Sequence, residues 1–135
     1  MIQYLLDTNI CIYIINAKPI EVLERFKREA MGSIAISSVS AAELAYGVSK
    51  SDSTKNRDAL EMFLAPLEVV PFDENVIWHY GKLRNDLEKR GQPIGPMDTM
   101  IAAHALAIDT TLITNNTREF ARVENLRLEN WVLAA

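Results

Sequence analysis

The chain has 135 residues, of which 14 are Lys or Arg and 18 are Asp or Glu, giving a formal net charge of -4. This length is typical of one domain that buries enough apolar surface to fold without disulfides, so we expect a single domain over 1–135. The acidic balance argues against a protein that holds nucleic acid through basic residues alone. The single cysteine, Cys11, cannot form an internal disulfide, which suits a reducing compartment.

The amino-terminal segment carries no basic n-region and reaches an acid, Asp7, after six residues. We therefore expect no signal peptide. No apolar run approaches the roughly 18 residues that a membrane span needs. These features predict a cytoplasmic protein without a membrane partner.

Short apolar runs typical of strands alternate with segments of helical periodicity. In chain order the predicted elements are strand 2–6, helix 10–15, helix 19–29, strand 33–37, a helix capped by Ser38 or Ser40 that runs through Tyr46 and stops at Gly47, helix 54–64, strand 68–72, helix 73–90 with Gly91 as its terminator, a helix from Met97 or Asp98 to Leu106, strand 111–114, a short helix near Glu119, and an edge strand 126–131. This alternation predicts an α/β fold with a largely parallel sheet.

Polar side chains follow the predicted strands at the places where those strands end. Asp7 comes directly after the first strand, and Asn115 and Asn116 come directly after strand 111–114. Glu43 lies one turn into the helix after the second strand, and Asp98 opens a later helix. Open parallel sheets bind ligands at the carboxyl ends of their strands, so we expect these residues to meet in one crevice.

Several ionised carboxylates in one pocket repel each other unless a cation compensates their charge. Hard oxygen ligands suit Mg²⁺, with Mn²⁺ as a substitute. A bound cation can polarise a phosphoryl oxygen and activate water for in-line attack. The sequence therefore favours a metal-dependent phosphodiesterase that leaves 5′-phosphate and 3′-hydroxyl ends.

Each of these residues also has a simpler interpretation. Asp7 and Asp98 could cap helices, and Asn115 and Asn116 could form a turn. Glu43 could be an exposed helix acid, although its small and apolar neighbours make an unpartnered charge costly there. Their shared position at one edge of the sheet, rather than any single residue, favours a site.

Two other functions remain open at this point. An Asp nucleophile at Asp7 would indicate a phosphatase, but such enzymes usually carry Asp-x-Asp, and here the second position is Asn9. A receiver-like signalling domain would hold the acids without catalysis. His79 and His104 lie on separate predicted helices without the spacing of a zinc site, and His104 is expected to pack in or near the core.

The chain resembles the PIN-domain family, and specifically its VapC-type toxins, over nearly its whole length. The motifs that carry the resemblance are Leu5-Leu6-Asp7-Thr8-Asn9, Ile36-Ser37-Ser38, Ala42-Glu43-Leu44 with Gly47, Gly91-Gln92-Pro93-Ile94-Gly95-Pro96-Met97-Asp98, Ile101-Ala102-Ala103-His104-Ala105, Leu112-Ile113-Thr114-Asn115-Asn116, Glu119-Phe120 and Trp131.

The resemblance implies a three-layer α/β/α fold around a parallel sheet of about five strands. Asp7 and Asp98 would bind Mg²⁺ directly, and Glu43 would complete the acidic cluster. The place of a fourth acid matches Asn116, an amide, so we expect one well-held cation. Supporting hydrogen-bonding groups would come from Thr8, Asn9, Ser38, Thr114 and Asn115.

The resemblance also implies partners and a substrate. Such toxins are neutralised by a VapB antitoxin whose tail occupies the active-site groove, reach operator DNA only through that antitoxin, and are usually homodimers. The expected function is an endoribonuclease toxin that inhibits translation by cutting RNA. Relatives of this kind cut tRNA, and some cut the anticodon loop of initiator tRNA.

Overall fold

The computed structural model describes residues 1–133, which form five strands and seven helices. In chain order they are β1 (Tyr4–Leu6), α1 (Thr8–Asn16), α2 (Ile20–Arg28), β2 (Ile34–Ser37), α3 (Ser38–Ser51), α4 (Thr54–Leu64), β3 (Glu68–Val70), α5 (Glu74–Lys89), α6 (Pro96–Ala107), β4 (Thr111–Ile113), α7 (Thr117–Phe120) and β5 (Leu128–Glu129).

The strands form one sheet in the order β3-β2-β1-β4-β5, and every neighbouring pair is parallel. The central strand β1 pairs with β2 on one side and β4 on the other, so Leu6 lies beside both Ile36 and Ile113. The direction of chain progression reverses at β1, and in parallel sheets such a switch point is where ligands bind. The predicted fold class is confirmed.

Alternate residues of the central strands point to two separate apolar cores. Leu5, Ala35 and Leu112 face a core shared with α5, α6 and α7. Leu6 and Ile36 face the other core, which is filled by α1, α2, α3 and α4. Helices therefore cover both faces of the sheet, as the near-continuous apolar character of its strands requires.

Helix α3 differs most from its prediction. It runs through Gly47 to Ser51, and its cap is Ser37, which accepts a 3.1 Å hydrogen bond from the Val39 N–H, rather than Ser38 or Ser40. A helical glycine costs only about 1 kcal/mol relative to alanine. Val48, one residue later, packs against the core, and this contact supports continuation of the helix.

The last strand was predicted too long. β5 lies at the edge of the sheet as expected but covers only Leu128–Glu129, because the Val132 N–H bonds the Asn130 side chain and the chain turns away.

Helix α5, by contrast, ends as predicted. Gly91, at a φ of +68°, donates to Glu88 O, and Gln92 donates to Leu87 O, the double hydrogen bond of a glycine-terminated helix.

The expected core position of His104 is confirmed, since its side chain is fully buried, and Cys11 is fully buried as well. Among residues 1–133, no helix combines the length and apolar composition that a membrane crossing requires.

Candidate active site

Asp7 stands where β1 passes into α1 and is only 5% exposed. Its Oδ1 accepts a 2.8 Å hydrogen bond from the Thr8 N–H, so it caps α1, and its Oδ2 accepts a 2.7 Å hydrogen bond from Thr114 Oγ1. Burial raises the pKa of Asp7 above its ordinary value against the effect of these two hydrogen bonds, and the nearby charges of Glu43 and Glu119 raise it further. Capping and site membership are therefore compatible roles of the same carboxylate.

Glu43 lies on the second turn of α3 and is half-buried. Its Oε1 accepts a 3.0 Å hydrogen bond from Thr8 Oγ1, which is the partner that an acid among apolar neighbours requires. Thr8 thus donates to two carboxylates at once, through its amide to Asp7 and through its hydroxyl to Glu43. Thr8, for which the resemblance implies a supporting role, therefore connects α1 to both acids.

Asp98 is not a helix cap. Gly95 holds the cap position of α6 and Pro96 begins the helix, which places Asp98 on its first turn. Burial raises the pKa of Asp98 to about 7, with further contributions from the charges of Glu119, Asp7 and Glu43. A carboxyl with this pKa beside three other acids is the electrostatic signature of a site built for a cation.

Glu119, on α7, is the fourth acid, and the sequence analysis did not assign it to the site. Its Oε1 accepts a 3.1 Å hydrogen bond from the Gly95 N–H, and its Oε2 accepts a 2.7 Å hydrogen bond from Asn116 Nδ2. These bonds lower the pKa of Glu119, and a hydrogen bond from Asp98 lowers it further. Within the pair, Asp98 carries the proton and Glu119 the negative charge.

Asn116 therefore orients an acid rather than taking the place of one. The spacing could have revealed this, because Asn116 and Glu119 stand at the first and fourth positions of a capping-box pattern. Here the two side chains bond each other, and Asn116 makes no side-chain bond to the helix backbone. The amide at Asn116 predicts that the site has no fourth negative charge, but Glu119, three residues after Asn116, supplies one.

The remaining predicted supporting residues divide into two groups. Thr114 holds Asp7 directly and also accepts the Asn116 N–H at 2.9 Å. Ser38 Oγ instead accepts the Phe72 N–H at 3.0 Å, so it ties α3 to the chain after β3. Asn9 and Asn115 are exposed, and Asn115 bonds Tyr13 and Asn130 rather than an acid.

The four acids offer only carboxylate oxygens, the donor type that Mg²⁺ and Mn²⁺ prefer. Across the described range, 1–133, no three His, Cys, Asp or Glu side chains already stand in the geometry of a metal site. The donor chemistry and the raised pKa values of Asp7 and Asp98 fit a hard divalent cation. Binding would require the side chains to bring their carboxylates together around the cation.

A groove of about 490 Å³ that Glu43 helps to line lies between α1, α3 and α4. Thr8 and Glu43 stand at its polar end, and its apolar walls include Ile12, Leu44 and Val48. An extended ligand lying in this groove would reach the Glu43 carboxylate.

Comparison with known proteins gives consistent matches. The family model of the PIN domain matches residues 4–126. Ribonuclease VapC2 of Rickettsia felis is 48% identical over 130 residues, covering 95% of this chain and 97% of the relative. The tRNA(fMet)-specific endonuclease VapC of Shigella flexneri is 44% identical over 132 residues, covering 97% of this chain and 99% of the relative.

Solved structures agree with the sequence matches. The crystal structure of VapBC2 from Rickettsia felis bound to a promoter DNA fragment contains a chain with a TM-score of 0.90 and 46% identity, covering 98% of this chain and 100% of that one. DNA-bound VapBC from Salmonella typhimurium gives a TM-score of 0.90 at 39% identity, with the same coverage. The chain therefore belongs to the PIN-domain family, within its VapC branch.

Proposed function

We propose that this chain is a metal-dependent endoribonuclease, the toxin of a VapBC-type pair, and that it acts in the cytoplasm. The observation that carries the proposal is the meeting of Asp7, Glu43, Asp98 and Glu119 at the carboxyl edge of the sheet, with the pKa of Asp98 raised to about 7. Relatives that align with nearly the full length of this chain are named ribonucleases.

In this proposal Asp7 and Asp98 hold Mg²⁺ directly, and Glu43 and Glu119 complete the site. When bound, the cation polarises the phosphoryl group and lowers the pKa of an attacking water. Thr114 and Thr8 keep Asp7 oriented, and Asn116 keeps Glu119 oriented. In the metal-free protein Asp98 keeps its proton and donates it in a hydrogen bond to Glu119, and a bound cation would favour the ionised form of Asp98.

The activity test uses purified protein and labelled RNA in the presence of Mg²⁺. We expect cleavage that EDTA stops, with products carrying 5′-phosphate and 3′-hydroxyl ends. Asp7→Asn keeps the shape of the side chain and should abolish cutting, whereas Glu124→Gln, which removes an exposed acid outside the site, should not. Cyclic 2′,3′-phosphate ends or undiminished cleavage in EDTA would refute the mechanism.

We extend the proposal to tRNA as the substrate, with the anticodon loop of initiator tRNA as the first target to examine. Its support is the name of the Shigella flexneri relative, which describes an endonuclease specific for tRNA(fMet). RNA 5′ ends should be sequenced after brief induction of the wild type and of Asp7→Asn. We expect new ends concentrated in that loop and growth arrest with the wild type alone; ends scattered over messenger RNA would contradict this substrate.

We further propose a VapB-type antitoxin as partner, with DNA bound only through it. The groove beside Glu43 has apolar walls that suit an antitoxin segment, and the structural neighbours come from VapBC complexes. Co-expression of the cognate antitoxin should relieve growth arrest. In a band-shift assay the operator should move only when both proteins are present.

A homodimer is also proposed, because α5 exposes large apolar side chains: Ile77 is 48% exposed and Trp78 72%. Light scattering after gel filtration should give twice the chain mass for the wild type. Trp78→Ser should shift the equilibrium towards the monomer, and an unchanged mass would place any dimer interface elsewhere.

A phosphatase with Asp7 as nucleophile is disfavoured by the residues that follow Asp7. Such enzymes usually carry Asp-x-Asp, and here the second position is Asn9, whose side chain is exposed and uncharged. Trapping a phosphoryl group on Asp7 would reverse this conclusion. A receiver-like binding domain predicts tolerated expression with no dependence on Asp98, which the growth assay with Asp98→Ala distinguishes.

A further inference from the structure

A row of uncharged polar side chains lies immediately beside the acids. Asn9 and Tyr13 are one turn apart on the same face of α1, which begins at the Asp7 cap. Asn115 follows Thr114, the residue whose hydroxyl holds Asp7, and its Nδ2 donates to the Tyr13 hydroxyl at 3.5 Å. We call Asn9, Tyr13 and Asn115 the amide strip.

The Asn115 side chain is held on two sides. Its Oδ1 accepts a 3.1 Å hydrogen bond from Asn130 Nδ2, and Asn130 is itself fixed by the Val132 N–H at 2.9 Å. An amide nitrogen has two hydrogens, and Tyr13 takes only one of those on Asn115. The other, together with the phenol hydrogen of Tyr13, presents a pair of oriented donors on an exposed surface.

The chemistry of the strip favours a nucleobase over a phosphate. Phosphate binding relies mainly on Lys and Arg, whereas the strip is uncharged, adjoins four acids and belongs to a chain of net charge -4. Unpaired RNA bases are recognised through hydrogen bonds to their edges and by stacking on aromatic rings. Amides and a half-buried phenol ring supply both kinds of contact.

We propose that the amide strip binds an unpaired nucleobase next to the scissile phosphate and thereby sets the base preference of cleavage. The inference rests on the proposed ribonuclease function, because the acids fix where the reacting phosphate lies. Asn115 and Tyr13 donate to acceptors on the base edge, and the Tyr13 ring packs against the base. Asn9 borders the same base on the side nearer Asp7.

The test measures RNA binding as well as cutting. Fluorescein-labelled single-stranded RNAs of equal length, which differ only in the base beside the cut site or carry an abasic residue there, are titrated into Asp7→Asn protein and followed by anisotropy. The same background then carries Asn115→Leu, which replaces the amide by an apolar group with the same number of heavy atoms, or Tyr13→Phe, which removes one oxygen. Gln3→Leu, which also replaces an exposed amide by leucine but lies beside the opposite edge of the sheet, is the control.

We expect Asn115→Leu to weaken binding of the preferred RNA about tenfold and Tyr13→Phe to weaken it by a smaller factor, as loss of single hydrogen bonds implies. Binding of the abasic RNA should be unchanged, and cleavage by the wild-type background should lose its base preference when Asn115→Leu is introduced. Gln3→Leu should alter nothing.

A loss that is equal for abasic and intact RNA would mean that the strip contacts the backbone, and an unaltered base preference would mean that it contacts no base; either result overturns the inference. Cleavage by the wild type would still stand in both cases, so the proposed function would survive. If the wild type cuts no RNA and the Asp7→Asn protein binds none, the proposed function and the inference fail together.

Discussion

Thr114 Oγ1 donates a 2.7 Å hydrogen bond to Asp7 Oδ2, although 107 residues separate the two in the chain. The parallel pairing of β1 with β4 brings them together, since Leu6 lies opposite Ile113 and each polar residue comes next. The same hydroxyl accepts the Asn116 N–H at 2.9 Å. One side chain therefore links the most buried acid to the segment that carries Glu119.

Replacing Thr114 by Val should test this link at almost constant volume. Loss of two hydrogen bonds at a buried site should lower the free energy of unfolding by about 1–2 kcal/mol. Asp7 would lose a bond that lowers its pKa, so it should ionise less readily and cleavage should fall. Urea denaturation and initial cleavage rates measure the two effects.

Thr110→Val is the control, because Thr110 is equally buried but lies at the other end of β4 and donates only a 3.4 Å bond to Ala105 O. It should affect stability without affecting cleavage. Equal losses of cleavage in both variants would show that Thr114 acts through general stability alone.

The stability of the metal-free protein should depend on pH through Asp98. Its pKa is raised from the ordinary value of 3.8 to about 7, so the folded state binds this proton more tightly than the unfolded state does. The resulting stabilisation is complete below about pH 4 and is lost as the pH rises through about 7. Asp98→Asn should therefore gain stability relative to the wild type across that range.

Thermal melting in EDTA from pH 4 to pH 8 gives the difference in stability between the wild type and Asp98→Asn at each pH. Asp86→Asn, at an exposed position of α5, should follow the wild-type curve. If the melting temperatures of the wild type and Asp98→Asn change with pH in parallel, burial and neighbouring charges do not raise the pKa of Asp98. Added Mg²⁺ should raise the melting temperature of the wild type at pH 8 more than that of Asp98→Asn.

Glu119 should contribute as much to cation binding as Asp7, Glu43 and Asp98, the three acids that the sequence indicated. Glu119→Gln removes a charge that raises the pKa of Asp98, so that pKa should fall towards its ordinary value. With one carboxylate fewer, Mn²⁺ binding should weaken roughly tenfold, the order of effect seen when groups that support metal sites are lost.

Calorimetric titration with Mn²⁺ measures this affinity. Glu124→Gln changes an exposed acid five residues later in the chain and serves as the matched control. If Glu119→Gln binds Mn²⁺ with the affinity of the wild type, Glu119 does not contribute to the metal site.

Ser37 should matter to the fold more than an ordinary helix cap. It caps α3 through the Val39 N–H and shares a 2.7 Å hydrogen bond with Nδ1 of the buried His104, whose Nε2 has no partner within residues 1–133. Ser37→Ala should cost about 2–3 kcal/mol, the sum of a lost cap and an unsatisfied buried nitrogen.

Ser53→Ala removes a comparable cap from α4, where Ser53 accepts the Asn56 N–H at 3.1 Å and no buried histidine is involved. It should cost about 1 kcal/mol in the same denaturation experiment. Similar losses for the two variants would show that the His104 bond adds nothing.

The sequence predicted the layers of the fold and the edge where the acids meet, because strand ends and helix starts leave local signals. Asp7 and Asn115 directly follow predicted strands, and Asp98 comes after the loop Gln92-Pro93-Ile94-Gly95-Pro96. For Asn116, the resemblance placed an amide where a fourth acid would stand and therefore predicted no fourth charge at that position. Glu119, one helical turn later, supplies a fourth carboxylate. The spacing of the two residues is that of a capping box, but the hydrogen bond between their side chains comes from the structure.

Asn115 illustrates a different limit. Sequence position places it beside Asp7, but the direction of its side chain depends on Asn130, which arrives from the edge strand, and on Tyr13 from α1. Likewise, Gly47 predicted the end of α3 because the low helix propensity of glycine can be read from the sequence. The packing of Val48 against the core, which offsets that low propensity, depends on distant segments and cannot be read in this way. Contacts between distant segments, rather than local propensity, decided each of these cases.

The order of the strands also governs when the site can form during synthesis. A ribosome releases the chain from its amino end, so Asp7 emerges early and remains without the Thr114 hydroxyl until β4 has emerged and paired with β1. Glu119 follows later still, 112 positions after Asp7 in the chain. A nascent or truncated chain that ends before α7 therefore cannot assemble the four carboxylates, and the site becomes complete only after both β4 and α7 have emerged from the ribosome.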